Sequence, residues 1–229
     1  MCIRDRLYVD RLLKLDESQK RRVNDNISAT IKRIKQFQNG TGGFSYWPGG
    51  GDMSEWGTNY AGHFLLEAKK RGYSLPPNLI DRWKKAQAKT ARSWQITQPG
   101  NRYYYRNNHL VQAYRLYTLA LANAPEWGAM NRMLEMKEVS KEAKWRLAAA
   151  YAIGGKKDVA QKIIDQLDTQ LEEYTELSRS YGSSLRDQAM ILETLDLLGN
   201  KSEAGTIVRT ISDQLSKNKW YGTNTVSYC

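Results

Sequence analysis

Apolar residues recur at spacings of three and four positions along almost the whole chain, and this periodicity is the strongest constraint on its fold. The first clear example consists of Val23, Ile27, Ile31, Ile34 and Phe37. Such spacing places the apolar side chains on one face of an α-helix. No segment has the alternation of apolar and polar residues that is typical of a half-buried strand. The sequence therefore predicts an all-α fold.

Glycine, proline and capping residues divide this pattern into separate helices. Ser140, for example, begins a segment with a capping-box-like start, and Gly154 and Gly155 end it. The predicted helices include residues 23–37, 58–71, 79–94, 110–121, 130–134, 140–151, 159–167, 189–198 and 207–215.

The predicted helices alternate in composition. Four of them are rich in small and apolar residues, and their neighbours, such as 79–94 and 159–167, carry more charge. This alternation favours helical hairpins with one inner and one outer helix, which close into a toroid or extend as a solenoid. On the inner helices we expect the least exposed side chains to include Phe64, Leu65, Tyr114, Leu147, Ala150, Leu192 and Leu195.

The net charge of +11 raises the question of a nucleic-acid partner. The basic residues do not cluster, however, because residues 20–22, 69–71, 84–85 and 156–157 lie in separate segments. We therefore predict a solvated basic surface and no nucleic-acid partner. No apolar run approaches the length needed to cross a bilayer, so we expect no membrane insertion by this segment.

Cysteine and histidine are too scarce for a metal or disulfide site. The two cysteines are Cys2 and Cys229, and the two histidines are His63 and His109. Neither a Cys-x-x-Cys motif nor a Cys/His set with zinc-ligand spacing is present. The sequence therefore predicts no cofactor.

A glycine-rich segment at residues 37–51, FQNGTGGFSYWPGGG, interrupts the helical pattern. It lacks the third glycine of a dinucleotide fingerprint and the lysine of a P-loop. We interpret it as a wide turn in which Gln36 or Gln38 bonds to backbone groups, with a ligand site as the alternative. The aromatic side chains of the turn are expected to pack over helix ends: Phe44, Tyr46 and Trp47.

Three groups of residues have the chemistry of a possible site. Asp52 and Glu55 could form an acid/base pair, or could serve as helix-start acids. The tyrosines at 103–105, between Arg102 and Arg106, could stack bases or sugars, or could pack against other helices. His109 could be a general base or a hydrogen-bonded structural residue.

The first six residues, MCIRDR, correspond to the translated end of a transposon that is used to prepare sequencing libraries. We therefore expect residues 1–6 to be an adapter artefact and residues 7–229 to be one partial domain, truncated at both ends.

Several ordered sequence blocks resemble the thioester-domain region of bacterial alpha-2-macroglobulins. The resemblance covers about Leu7 to Cys229, and Asn224 stands where the family pattern leads us to expect glutamine. The blocks are 38–49 (QNGTGGFSYWPG), 56–68 (WGTNYAGHFLLEA), 112–122 (QAYRLYTLALA), 144–151 (KWRLAAAY), 186–195 (RDQAMILETL) and 220–228 (WYGTNTVSY).

This resemblance implies an α/α toroid of helical hairpins, similar in architecture to that of terpenoid cyclases, inside a large protease trap. A target protease cleaves a bait segment of such a trap and is then caged. The chain is accordingly expected to be part of an endopeptidase inhibitor and not an enzyme. The implied location is extracytoplasmic, in the periplasm or at the cell surface, and the implied partners are target proteases and other domains of the same polypeptide.

In many family members an internal thioester between the Cys and Gln of a C-x-E-Q motif acylates the captured protease. The chain has no such motif, and we expect its Cys and Gln upstream of Leu7. Cys2 is followed by Ile-Arg-Asp and is not assigned this role. A polysaccharide- or terpenoid-active enzyme on the same toroid and a non-catalytic helical-repeat binding scaffold stay open as alternatives.

The resemblance also assigns a hypothetical role to His109. In animal relatives, a histidine in the second half of the toroid attacks the thioester and directs it towards hydroxyl groups. His109 precedes an inner helix in a comparable region. We therefore treat His109 as a candidate thioester modulator, and we predict no other catalytic residue in this chain.

Overall fold

The computed structural model describes residues 7–96, 102–174 and 182–217, and of residues 102–107 only the backbone. Within these ranges the regular elements are helices, and an isolated antiparallel bridge joins Gln38 and Phe44. The prediction of an all-α fold is confirmed. The helices are α1 (Val9–Leu12), α2 (Glu17–Ile34), α3 (Glu55–Lys70), α4 (Leu79–Ser93), α5 (Arg102–Leu121), α6 (Trp127–Glu135), α7 (Lys141–Ile153), α8 (Lys157–Ile164), α9 (Ser184–Leu198) and α10 (Lys201–Lys217), with a short 3₁₀ helix at Lys35–Phe37.

The chain forms two compact units, of which the first includes the described residues up to Gln87. Its core contains apolar side chains of α2, α3 and α4, among them Ile31, Phe64 and Leu79. Trp83 is fully buried and packs directly against Gly62. A Cβ atom at position 62 would lie 2.1 Å from Cε2 of the indole, so the glycine permits this close packing.

The second unit includes the described residues from Ala88 onwards. Helix α7 lies at its centre and packs against α5, α8 and α9, while α9 also packs against α10. Ten of the thirteen residues of α7 are buried. A helix that is covered on nearly all sides needs small side chains for close packing, which explains the alanine-rich sequence of α7.

Serine side chains fix the starts of two helices in the second unit. The Ser140 hydroxyl accepts a hydrogen bond from the amide of Ala143, as its position in the sequence predicts. The Ser183 hydroxyl accepts one from the amide of Arg186 at the start of α9. Both caps bond amide groups that would otherwise have no partner within the helix.

The predicted burial of the inner helices is confirmed at six of seven positions, since only Leu192 is not fully buried. The buried face of α9 instead contains Met190, Ile191, Thr194 and Leu195. Leu192 lies to one side of this face and is half-buried. The apolar pattern of α9 is broad enough to fit two adjacent orientations, and packing against α7 selects one of them.

Candidate functional site

The base of the glycine-rich loop is held by side chains that bond to backbone groups. The Gln38 amide donates hydrogen bonds to the carbonyl oxygens of Gly42, at 3.0 Å, and Leu79, at 2.9 Å. The Asn39 amide donates to the carbonyl oxygen of Gly51 at 3.0 Å. Of the two glutamines considered for this role, Gln38 therefore bonds to the backbone, and it ties the loop to the start of α4.

Thr58 of α3 closes the same loop from the other side. Its hydroxyl accepts a hydrogen bond from the amide of Phe44 at 2.9 Å and donates one to the Phe44 carbonyl at 3.2 Å. Thr58 and Phe44 are both buried. Because the loop backbone is bonded internally, this part of the segment acts as a structural turn.

The tip of the loop differs from the prediction. Tyr46 and Trp47 do not pack over helix ends, because 60% of Tyr46 and 72% of Trp47 are exposed. The Gly50 amide donates to the Trp47 carbonyl at 3.1 Å, and Gly49 has a φ of 74°. Pro48 and Gly49 thus occupy the central positions of a turn of the type II pattern, which directs the two aromatic side chains into solvent.

The carboxylates of Asp52 and Glu55 are both exposed. Glu55 lies in the first turn of α3, directly after the N-cap residue Ser54. A carboxylate in the first turn interacts favourably with the positive end of the helix dipole. The geometry around Glu55 therefore agrees with the structural interpretation of this acid.

His109 is fully buried near the start of α5. Its Nδ1 accepts a hydrogen bond from the backbone amide of Ser140 at 3.2 Å, and its ring contacts that of Trp94 edge to face, with 6.1 Å between ring centroids. Burial lowers the pKa of His109, and this effect is opposed by the charge of Glu138. The imidazole therefore favours the neutral form, with Nδ1 as acceptor.

The side chains at 103–105 lie outside the described part of the structure.

The stability of the fold should depend on pH through His109. Below about pH 6.5 the unfolded chain binds a proton at this position more readily than the folded chain does, so the free energy of unfolding falls as the pH drops. We expect wild type to lose more stability between pH 7.5 and pH 5.5 than His109→Asn, whose amide oxygen can still accept from Ser140. Urea denaturation at both pH values measures this difference, and equal losses in the two proteins would contradict it.

A cluster of charged and aromatic side chains joins three inner helices of the second unit. Arg146 of α7 donates to the Glu193 carboxylate of α9 at 2.7 Å, and the Tyr117 hydroxyl of α5 donates to the same carboxylate at 2.5 Å. The Arg146 guanidinium also lies over the rings of Tyr117 and Tyr114, at 4.1 and 5.6 Å. Burial raises the pKa of Tyr117 well above its usual value. This cluster cross-links α5, α7 and α9.

A second buried cluster lies at the start of α9. Arg186 donates to one carboxylate oxygen of Asp187 from Nε, at 2.9 Å, and from Nη2, at 2.7 Å. The Tyr174 hydroxyl donates to the other oxygen at 2.5 Å. Burial raises the pKa of Asp187, and the charge of Arg186 opposes this effect. The cluster holds Tyr174 against the start of α9.

Our reasoning from the sequence missed both clusters, although the first left a signal in the sequence. Arg146 directly precedes the uncharged run LAAAYAI, and Glu193 directly follows the uncharged run QAMIL. Charged residues are almost never fully buried unless they are paired. A charge at the edge of such a run therefore indicates a partner on another helix.

Within the described ranges, no group of three or more His, Cys, Asp or Glu side chains is arranged to hold a metal ion. Nor does any described helix have the length and hydropathy needed to cross a membrane. The buried carboxylate of Asp187 and the half-buried carboxylate of Glu193 are each bonded to an arginine and a tyrosine. These bonds connect separate segments of the fold.

The comparisons of this chain with known protein sequences and with known structures agree with each other. No protein-family model matches the chain. Over 219 residues, which are 92% of the chain, it is 28% identical to alpha-2-macroglobulin of Escherichia coli strain K12. This chain is homologous to bacterial alpha-2-macroglobulin.

The alpha-2-macroglobulin relationship extends to the three-dimensional fold. A crystal structure of native Escherichia coli alpha-2-macroglobulin, from domain MG7 to the C-terminus, matches 91% of the chain with a TM-score of 0.76 and 26% identity. The same protein activated by porcine elastase matches 90% of the chain with a TM-score of 0.73 and 28% identity. The resemblance inferred from the sequence blocks is confirmed.

The chain accounts for a small part of each alpha-2-macroglobulin that it matches. It spans 13% of the K12 protein, 34% of the native structure and 19% of the elastase-activated structure.

Proposed function

We propose that this chain is part of a bacterial alpha-2-macroglobulin-like endopeptidase inhibitor, in which it forms the helical scaffold of a protease trap. The observation that carries this proposal is the match of 90% of the chain to an alpha-2-macroglobulin that elastase activates. In such a trap, the activating protease is the target, and this segment contributes structure and no cleavage chemistry.

The internal contacts of the chain support a scaffold role. Asp187 is bonded to Arg186 and Tyr174, and Glu193 is bonded to Arg146 and Tyr117, so both acids maintain contacts between segments of the fold. An enzyme on the same fold would need carboxylates that converge at a substrate site. Asp52 and Glu55 are instead exposed at the start of α3. The enzyme alternative is therefore not favoured.

Further parts of the proposal concern the longer polypeptide. We propose that its toroid closes with hairpins beyond this chain, that residues 1–6 are not native, and that any thioester Cys and Gln lie upstream of Leu7. His109 would modulate that thioester. The protein would act outside the cytoplasm on proteases, together with its own other domains.

The proposal is tested by treating the full-length product of the gene that encodes residues 7–229 with elastase. After elastase activation, the protease should still cleave a small chromogenic peptide, which can enter the trap. It should no longer cleave a large protein substrate, because a caged active site is sterically closed to it. Both rates are measured in the same sample against elastase alone.

The isolated 229-residue chain is the matched control for this experiment. It should leave elastase fully active on both substrates, and methylamine should release no thiol from it. Equal elastase activity on the large substrate with and without the full-length product would contradict the proposed function.

A further inference from the structure

The tip of the glycine-rich loop is an exposed aromatic surface. Trp47 and Tyr46 lie in contact, with 5.6 Å between ring centroids and 68° between ring planes. No charged residue occurs in residues 37–51, although 26% of the chain is charged. Exposed aromatic side chains in a segment without charged residues are typical of the centre of a protein interface.

Hydrogen bonds within the chain hold the backbone that presents these side chains, so no partner protein is needed to order it. The Ser45 amide donates to the Phe37 carbonyl at 2.8 Å, and the Ser45 hydroxyl donates to the Trp47 carbonyl at 2.6 Å. The Gly49 amide donates to the Gln36 carbonyl at 3.2 Å. An aromatic pair on a pre-organised turn loses little conformational entropy when a partner covers it.

We propose that Tyr46 and Trp47 form a docking site for an apolar surface on a neighbouring domain of the same polypeptide. This inference rests on the proposed function to the extent that it requires a longer chain with further domains. The native relative contains about twice as much additional chain as this segment, so a neighbouring surface is available in such a protein.

The absence of charged residues from the segment 37–51 favours a covalently linked partner over a diffusing one. Electrostatic attraction speeds the encounter of separate proteins, and a chain of net charge +11 could use its basic surface for that purpose. A domain in the same polypeptide is already present at high effective concentration and needs no such attraction. Its contact is expected to be apolar, as this surface is.

Hydroxyl-radical footprinting of the isolated chain and of the full-length product tests the site. In the isolated chain, Trp47 should be modified as fast as a solvent-exposed tryptophan. In the full-length product, we expect its rate to fall by about fivefold or more, because the docked domain excludes solvent. Equal rates in both proteins would overturn the proposal, as would a reading frame that encodes no further domain. Protection that appears only when a polysaccharide is added would indicate a carbohydrate site and would also overturn it.

Substitutions separate docking from folding. The double variant Tyr46→Ser with Trp47→Ser should keep the melting temperature of the isolated chain within about 2 °C of wild type, because surface side chains away from bonded groups have small effects on stability. In the full-length product, the same variant should release the docked surface and make it more reactive to hydroxyl radicals. Exposed Leu134 in the second unit provides the control variant Leu134→Ser, which should leave that reactivity unchanged.

The two proposals fail in distinguishable ways. Protection of Trp47 without caging of elastase would contradict only the proposed function. Caging of elastase without protection of Trp47 would contradict only the docking site.

Discussion

Replacing Trp83 by alanine is expected to lower the free energy of unfolding by about 3–5 kcal/mol, as is usual when a large buried aromatic side chain is truncated. The indole is fully buried against Gly62. Its Nε1 also donates a hydrogen bond to the Thr58 carbonyl at 2.9 Å. The substitution would therefore leave a cavity next to α3 and remove a bond to its backbone. Guanidinium denaturation followed by circular dichroism measures the loss.

Gly62→Ala provides the matched test of this contact. In wild type, the added methyl group would meet the indole, and such overpacking costs about 1–3 kcal/mol. In the Trp83→Ala background the ring is absent, so the cost of the methyl group should largely disappear. A strong coupling energy in the double-mutant cycle is thus expected. Strictly additive losses would show that the two residues do not contact each other.

The second large effect is expected at Asp187. Its replacement by alanine should cost about 3–5 kcal/mol, because the neighbouring Arg186 would be left as an uncompensated buried charge. Only 6% of the Arg186 side chain and 1% of the Asp187 side chain are exposed, so water screens this pair poorly. The Tyr174 hydroxyl would lose its acceptor at the same time. Denaturation at pH 7.5 measures the change.

Two further variants test this explanation. Asp187→Asn keeps the shape and one acceptor oxygen, so it should be less destabilising than Asp187→Ala. The double variant Asp187→Ala with Arg186→Met should recover part of the loss, because it removes the unpaired charge. A double variant that is less stable than Asp187→Ala would contradict the explanation.

Much of the fold can be predicted from the sequence because helices depend on residues close together in the chain. Apolar spacing, serine caps and glycine stops each act within a few positions. Ser140 illustrates this, since it caps α7 as its position predicts. The burial of Leu147 and Ala150 follows in the same way, because the uncharged, alanine-rich run LAAAYAI in α7 can be buried on every side.

The side-chain clusters required the tertiary structure. Arg146 and Glu193 are 47 residues apart, and Tyr117 and Glu193 are 76 residues apart. Nothing local indicates which inner helix supplies the partner of a buried charge. The half-burial of Leu192 has the same origin, since the orientation of α9 depends on its packing against α7.

For the loop at residues 37–51, some features follow from the sequence and others only from the tertiary structure. By itself, the sequence determined that this segment is a turn and not a phosphate site, because its glycines lack the required spacing and lysine. It also predicted that Gln36 or Gln38 bonds to the backbone, and the structure shows that Gln38 does so. Only the tertiary structure decided that Phe44 is buried whereas Tyr46 and Trp47 face solvent. All three are large aromatic residues of one short segment, and their exposure depends on how backbone hydrogen bonds and Thr58 orient the turn relative to α3.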